Sequence, residues 1–279
     1  MRLETHGLRF GYDPNHPVLN GVDLSYESPG VLCVLGTNGT GKSTLLRNLI
    51  GELSPLSGTV ELNGKPISSY RAPELARHFA YLAQMHAPTF SYPVIDVVTM
   101  GRTSRIGYLA SPGTSDVDFA LEQLSYLGID HLANRPYTGI SGGERQLVMI
   151  AAALAQEPEA LLLDEPTSHL DFGNQYRFVE LVGRLRDRGI GVLMTTHYPD
   201  HALMLDCPCA VLSQGRLLCT GLARDVINDQ VMSELYGIPV TVAQVGDRQT
   251  CIPGPIHYKD CTASATIGKQ GNAYGRDSQ

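Results

Sequence analysis

The sequence lacks an excess of positive charge, an apolar run long enough to cross a bilayer, and a cysteine framework. Its 21 lysines and arginines stand against 28 aspartates and glutamates, for a formal net charge of −7. That balance argues against nucleic acid or anionic lipid as the main partner, since both reward a basic surface. A nucleotide needs only a local pocket of positive potential and stays open. The longest apolar run, at 147–155, is about half of the roughly 20 residues a spanning helix needs. The opening MRLETHGLRF puts Glu4 and Arg9 where a secretory signal would need its apolar stretch. The expectation is a protein that stays in the cytoplasm and meets a membrane only through a partner. Six cysteines (Cys33, Cys207, Cys209, Cys219, Cys251, Cys261) are too few and too scattered for a disulfide scaffold in 279 residues. Cys207 and Cys209, with His201 nearby, have the chemistry of metal ligands. The alternative is that they flank a strand entering the core, and it is preferred because structural zinc needs four well-spaced ligands.

A hydrophobic content of 43% with 18% charged residues is ordinary for a globular chain, and this length can bury one large core or two smaller ones. Residues 2–10 and 18–26 read as β segments joined by the turn-rich Gly11-Tyr12-Asp13-Pro14-Asn15. Val31-Leu32-Cys33-Val34-Leu35 is apolar throughout, as expected of a strand buried on both faces of a parallel sheet. A glycine-rich loop and a helix stopped by Gly51 follow. Short strands are expected within 58–68 and at 78–82. From about 93 to 135 the pattern turns helical, with Phe119, Leu121, Leu124 and Leu127 at mixed three- and four-residue spacings, interrupted by a loop at 101–116. A helix at 142–156, an apolar strand at 160–163, a helix at 172–188, a strand at 190–195 and a hairpin over 210–219 complete the pattern. Buried strands alternating with helices indicate an α/β fold around a mainly parallel sheet, with the helical stretch 93–158 as an inserted subdomain. The tail from about Thr262, rich in Gly, Ser, Thr and Asn, is expected to be loosely ordered.

Three motifs carry chemistry. Gly36-Thr37-Asn38-Gly39-Thr40-Gly41-Lys42-Ser43, followed by Thr44, satisfies G-x-x-x-x-G-K-[ST] between a buried strand and a helix. Its glycines let successive N–H groups converge on a phosphate, Lys42 adds a point charge, and the Ser43 hydroxyl can ligate Mg²⁺. The following helix aims its N-terminus at the same anion. Leu161-Leu162-Leu163-Asp164-Glu165 is a core strand delivering two carboxylates to its C-terminal tip, where α/β sheets bind ligands. Asp164 would hold Mg²⁺ directly or through water, and Glu165 would polarise an attacking water as general base. Ser141-Gly142-Gly143-Glu144 opens a helix and forms a second anion cradle. A plain N-cap with an acidic first turn is the alternative. It does not explain why one chain should own two cradles.

The order of phosphate loop, Gln84, SGGE, Asp164-Glu165, Ser168-His169-Leu170-Asp171 and His197 resembles the nucleotide-binding domain of ABC transporters over about residues 1–240. The resemblance implies a P-loop NTPase fold with an N-terminal antiparallel β subdomain, and residues 241–279 as a C-terminal extension. It implies ATP as substrate with Mg²⁺. Gln84 would touch Mg²⁺ or water and sense the membrane partner. Ser168 and Asp171 would form the D-loop, His197 would contact the γ-phosphate, and Tyr12 would stack on adenine. Such domains work as head-to-tail dimers, so a second copy would bring Ser141, Gly142, Gly143 and Glu144 to ATP held on the other subunit. The signature departs from LSGGQ in having Ile140 and Glu144, and the phosphate loop carries Thr37 and Thr40. None of these changes removes the backbone cradle.

Tyr92-Pro93-Val94-Ile95-Asp96-Val97-Val98-Thr99-Met100-Gly101-Arg102 and Tyr81-Leu82-Ala83-Gln84 resemble importers of iron–siderophores, haem or vitamin B12. That resemblance implies a permease dimer contacting residues 85–92, an extracytoplasmic binding protein, no nucleic acid, and a peripheral position on the cytoplasmic side of the inner membrane. An importer of molybdate or a free metal ion remains the main alternative, ahead of a non-transport ATPase. A ribosome-acting ATPase would carry two such domains. A DNA-repair ATPase would show sustained heptads between the two nucleotide motifs, and a nucleotide kinase would lack SGGE.

Overall fold

The computed structural model describes residues 1–84, 91–106 and 111–255. In chain order the elements are β1 (Arg2–Phe10), β2 (Leu19–Glu27), β3 (Val31–Leu35), α1 (Lys42–Leu49), β4 (Ser57–Leu62), β5 (Lys65–Pro66), α2 (Ala72–His78) and β6 (Phe79–Leu82). Then come α3 (Val94–Thr99), α4 (Thr114–Tyr126), α5 (Gly142–Ala155), β7 (Ala160–Leu163), α6 (Phe172–Asp187), β8 (Gly191–Thr196) and α7 (Pro199–Leu205). β9 (Pro208–Ser213), β10 (Arg216–Leu222), α8 (Ala223–Val226), α9 (Asp229–Tyr236), β11 (Val240–Val245) and β12 (Arg248–Pro253) close the described chain. None of these helices is long and apolar enough to cross a membrane.

A six-stranded sheet, ordered β10-β9-β3-β8-β7-β6, forms the centre. Its strands are parallel from β9 to β6, and only β10 runs against its neighbour. Side chains alternate between faces along each strand, and here both faces are buried. Cys33, Leu35, Leu161, Leu163, Val192 and Met194 join one core with α5, α6, α7 and the helical insertion. Leu32, Val34, Leu162 and Leu193 join another with α1 and the antiparallel sheet β2-β1-β4-β5. This double burial is why β3 and β7 read as unbroken apolar runs. Truncating a fully buried residue such as Leu161 to alanine costs about 2–5 kcal/mol.

Helices α3, α4 and α5 fall within the stretch 93–158, and in α4 Leu121 is exposed while Leu124 is fully buried. The importer-like stretch has a packing role. A Cβ on Gly101 would sit 2.0 Å from the Ala152 carbonyl oxygen, so only glycine lets this segment lie against α5. Arg102 then donates from Nη1 to the Ala155 carbonyl at 2.7 Å, and Arg105 from Nε to that of Gln156 at 2.8 Å. Two cations thus satisfy the orphan carbonyls at the C-terminus of α5.

Past residue 240 the chain forms the hairpin β11–β12, an element not anticipated from the sequence. Asp200 at the start of α7 receives the Thr250 hydroxyl at 2.9 Å and the Cys251 N–H at 3.0 Å, tying the hairpin down. The expected loose tail from Thr262 and most of the expected permease-facing stretch 85–92 lie outside the described residues. Cys207 precedes β9 and Cys209 lies inside it, both buried, with Cys207 Sγ 3.5 Å from Cys33 Sγ.

Candidate nucleotide site

The C-terminal ends of β3, β6, β7 and β8 deliver Gly36, Gln84, Asp164 and His197 to the same edge of the sheet. Gly36 follows β3 without a side chain because none fits: its Cβ would meet the Leu212 carbonyl oxygen at 2.6 Å and Thr40 Oγ1 at 2.7 Å. Gly39 and Gly41 have φ of 81° and 102°, open to glycine and strained for other residues. Gly41 is also the N-cap of α1, so no side chain competes for the first N–H groups of that helix, and its first turn holds no acid. Those orphan donors are left to an outside anion.

Lys42 is buried, and its ammonium donates to the carbonyls of Gly36 at 2.8 Å and Thr37 at 2.9 Å. Its third partner is Glu165 Oε1, at 2.9 Å. The other oxygen of Glu165 lies 3.3 Å from His197 Nδ1, within ion-pair distance but without hydrogen-bond alignment. Glu165 has φ +45°, a left-handed conformation rare for a residue with a side chain. Such strain, of order 1–3 kcal/mol, persists only where the surroundings over-determine it. Asp164 is buried beside it.

Val18, Asn38, Gly39, Gly41, Lys42, Ser43, Thr44, Gln84 and Glu165 line one cleft of about 300 Å³. The structure thereby brings together the phosphate loop, Gln84 and the expected general base. The donor set fits a nucleotide polyphosphate: a lysine ammonium, uncapped helix N–H groups and a loop that Cβ atoms would fill. Ser43 is exposed at the cleft, and Asp164 offers a carboxylate next to Glu165, which fits a hard cation held by oxygen ligands. Tyr12 is 64% exposed; its ring meets Phe10 edge-on at 5.2 Å, and its hydroxyl accepts from Arg47 Nη1 at 3.0 Å. An aromatic face is therefore held out from the phosphate-loop helix, although it does not line the cleft.

The signature residues do not reach this cradle. Ser141, Gly143 and Glu144 line a groove against α6, and Gly142 lines a neighbouring cavity with Asp164, Glu165 and Ser168. Ser141 and Glu144 form a reciprocal cap: Ser141 Oγ accepts from the Glu144 N–H at 3.3 Å, and Glu144 Oε2 from the Ser141 N–H at 2.7 Å. The Ser141 hydroxyl first, and then its N–H, hold the Glu144 carboxyl below its ordinary range. Asp171 caps α6 through the Asn174 N–H at 2.8 Å, and the Ser168 N–H donates to the Glu165 carbonyl at 3.1 Å.

The profile of the ABC transporter family matches residues 19–168. The chain belongs to the ABC transporter family. An ABC transporter ATP-binding protein of unassigned role from Haemophilus influenzae is 42% identical over 236 residues, covering 85% of this chain and 89% of that one. The hemin import ATP-binding protein HmuV of Rhodococcus jostii is 35% identical over 82% of this chain and 77% of its own. The molybdate import ATP-binding protein MolC of Haemophilus influenzae is 33% identical, with 85% and 89% covered. Among solved structures, a metal-chelate type ABC transporter in an inward-facing conformation aligns with a TM-score of 0.80 and 31% identity, over 91% of this chain and 97% of that one.

Two residues beside the expected set were not singled out from the sequence. Val18, the residue before β2, lines the cleft beside the phosphate loop, and nothing in the sequence marked it. Thr195 is fully buried at the end of β8 and touches both acids. Its signal was present, as two successive threonines closing an otherwise apolar strand just before His197.

Proposed function

We propose that this chain is the ATP-binding and ATP-hydrolysing subunit of an importer, driving uptake of a metal chelate of the iron–siderophore, haem or cobalamin type through a separate permease dimer. The observation that carries the ATPase reading is the convergence of Lys42, Gln84 and Glu165 on one cleft at the C-terminal edge of a parallel sheet. The names of the hemin import relative and of the metal-chelate transporter support the cargo class.

In this reading the N–H groups of Gly39, Thr40, Gly41 and Lys42 surround the phosphates, with Gly36, Thr37 and Asn38 shaping the turn and Thr44 continuing the helix start. The Lys42 ammonium neutralises charge at the transferred group. Tyr12 offers its exposed ring to the base. Ser43, Gln84 and Asp164 would hold Mg²⁺. When bound, that ion would neutralise charge on the polyphosphate. Glu165 takes the proton of the attacking water, and His197, 3.3 Å from that carboxylate, orients it and contacts the γ-phosphate. Ser141, Gly142, Gly143 and Glu144 serve the ATP of a second copy. This fits their lining other cavities than their own cradle. Ser168 and Asp171 carry the junction between the copies. The chain then sits on the cytoplasmic side of the inner membrane through its permease, fed by an extracytoplasmic binding protein, and closure of the two copies on ATP moves the permease.

The test is Glu165→Gln. That variant keeps ATP binding, loses about 10²–10⁴ in turnover, and elutes as an ATP-dependent dimer. Normal turnover sinks the assignment of the base. MolC favours a second cargo, molybdate. Uptake assays on the chain assembled with its permease, using haem, ferric siderophores, cobalamin and molybdate, separate the two.

A further inference from the structure

The buried hydroxyl of Thr195 links the two acids of the site. It donates to Asp164 Oδ1 at 2.8 Å and accepts the backbone N–H of Glu165 at 2.8 Å. The direction of this relay is unambiguous. An amide N–H can only donate, so the single hydroxyl proton is left for the carboxylate. Both ends matter to the proposed chemistry. At one end Oδ1 of Asp164 is committed to the protein, while Oδ2 has a contact from the Tyr81 hydroxyl at 3.5 Å, the outer limit of a hydrogen bond. Thr195 therefore chooses which carboxylate oxygen is left for a cation. At the other end the bond holds the N–H of the residue whose backbone is left-handed, at φ +45°. That turn carries the Glu165 carboxylate to 2.9 Å from Lys42. β8 lies parallel to β7 with Leu163 opposite Met194, so the residue after Met194 stands opposite the carboxylates that follow β7.

We propose that Thr195 is a positioning residue for ATP hydrolysis. It sets the orientation of the Asp164 carboxylate toward a divalent cation and pins the strained turn that presents Glu165, so one hydroxyl keeps cation ligand and general base in register. The inference rests on the ATPase reading above, and wild-type turnover tests that reading separately. A wild-type chain with no Mg²⁺-dependent ATP hydrolysis refutes the function before any variant is made.

Three variants test the inference: Thr195→Val, which keeps the shape and loses the hydroxyl; Thr195→Ala, which loses both without adding bulk; and Thr195→Ser, which keeps the hydroxyl and loses the methyl. Removing a group that orients a metal ligand typically lowers metal affinity or activity by about 10–100-fold. The expected result is a fall of that size in kcat for Val and Ala, with KM for ATP within about threefold of wild type and activity restored by Ser to within about fivefold. Mn²⁺ binding in the presence of a non-hydrolysable ATP analogue, read by electron paramagnetic resonance, should weaken about tenfold in Val and Ala and stay unchanged in Ser. If Val does not fold, Ala carries the comparison. The inference is overturned if the hydroxyl-free variant keeps kcat and Mn²⁺ affinity within about twofold. It is equally overturned if Ser fails as badly as Val and Ala, which would make the role one of packing.

Discussion

His201 gives the protein a predictable weakness toward acid. It lies on α7, 5% exposed, with Nδ1 3.1 Å from the Thr196 hydroxyl, which also accepts the Tyr198 N–H at 3.0 Å. Burial lowers its pKa from 6.5 to about 4, with Asp200 opposing the shift and His197 adding to it. Because the folded pKa is depressed, the unfolded chain takes up a proton at higher pH than the native one. Stability is therefore complete above the unfolded value of 6.5 and is lost as pH falls toward the folded value of about 4. At pH 5 the proton-binding ratio between unfolded and native states is about 30, equivalent to about 2 kcal/mol, whereas at pH 7 it is close to one and the cost is well under about 1 kcal/mol. The perturbation is His201→Gln, which keeps an amide within reach of Thr196 and cannot titrate. Urea unfolding is followed by far-UV circular dichroism, since the chain has no tryptophan. Between pH 7 and pH 5 the wild type should lose about 2 kcal/mol more than the variant, because all other titrations are shared. Equal losses in the two proteins, within about 0.5 kcal/mol, refute the assignment of the buried neutral imidazole.

Lys42→Ala removes the ammonium that holds Gly36, Thr37 and Glu165 and should abolish nucleotide retention in equilibrium dialysis; an unchanged ATP affinity contradicts this reading of the loop. Gly36→Ala drives a Cβ to 2.6 Å from the Leu212 carbonyl oxygen and should cost about 1–3 kcal/mol, seen as a lowered melting temperature together with lost ATP binding. Ser141→Ala deletes the cap of α5 and should cost about 1 kcal/mol. Glu144→Gln keeps an acceptor for the Ser141 N–H and should stay within about 0.5 kcal/mol of wild type. Thermal melts of the two variants side by side check both values, and a larger cost for Gln than for Ala would show that the cap depends on charge.

The parts of this fold that were legible in the sequence are those where a local rule and the tertiary structure agree. β3 and β7 are buried on both faces, so they could only be written in apolar residues. Gly36, Gly39 and Gly41 occupy backbone positions closed to other residues. The hairpin β11–β12 was less legible: Thr241, Ala243 and Gln244 give a weak alternation, and its anchor, Asp200, is 50 residues from Thr250. No spacing rule reports such a contact. Thr195 was hidden for a similar reason, since a threonine in a strand is ordinary until a carboxylate and an N–H from the next strand are seen on its hydroxyl. Gly101 and Arg102 were read as a mark of a kind of importer, and the structure gives them a mechanical task at the end of α5. Their presence therefore speaks first to how the helical insertion is held, and only through that to its partner.

The two helix starts differ in what they leave open. At α1 the cap is a glycine, which has no side chain to satisfy the leading N–H groups. At α5 the cap is complete: Ser141 Oγ accepts the Glu144 N–H, and the Ser141 hydroxyl and N–H together hold the Glu144 carboxyl below its ordinary range. An anion arriving at Ser141 therefore competes with the Glu144 carboxylate for the Ser141 hydroxyl proton. The cost lies in the Glu144 carboxylate, whose bond to the Ser141 N–H keeps a negative charge at the mouth of the cradle. The first cradle has the mirror arrangement, with the Glu165 carboxylate 2.9 Å from Lys42. In the proposed dimer each anion-binding start thus carries its own acid. A polyphosphate must compete with Glu165 for Lys42 on one side and tolerate Glu144 on the other. Closure then depends on the summed contacts of both halves, which suits a motor that must open again once the phosphate bond is cut.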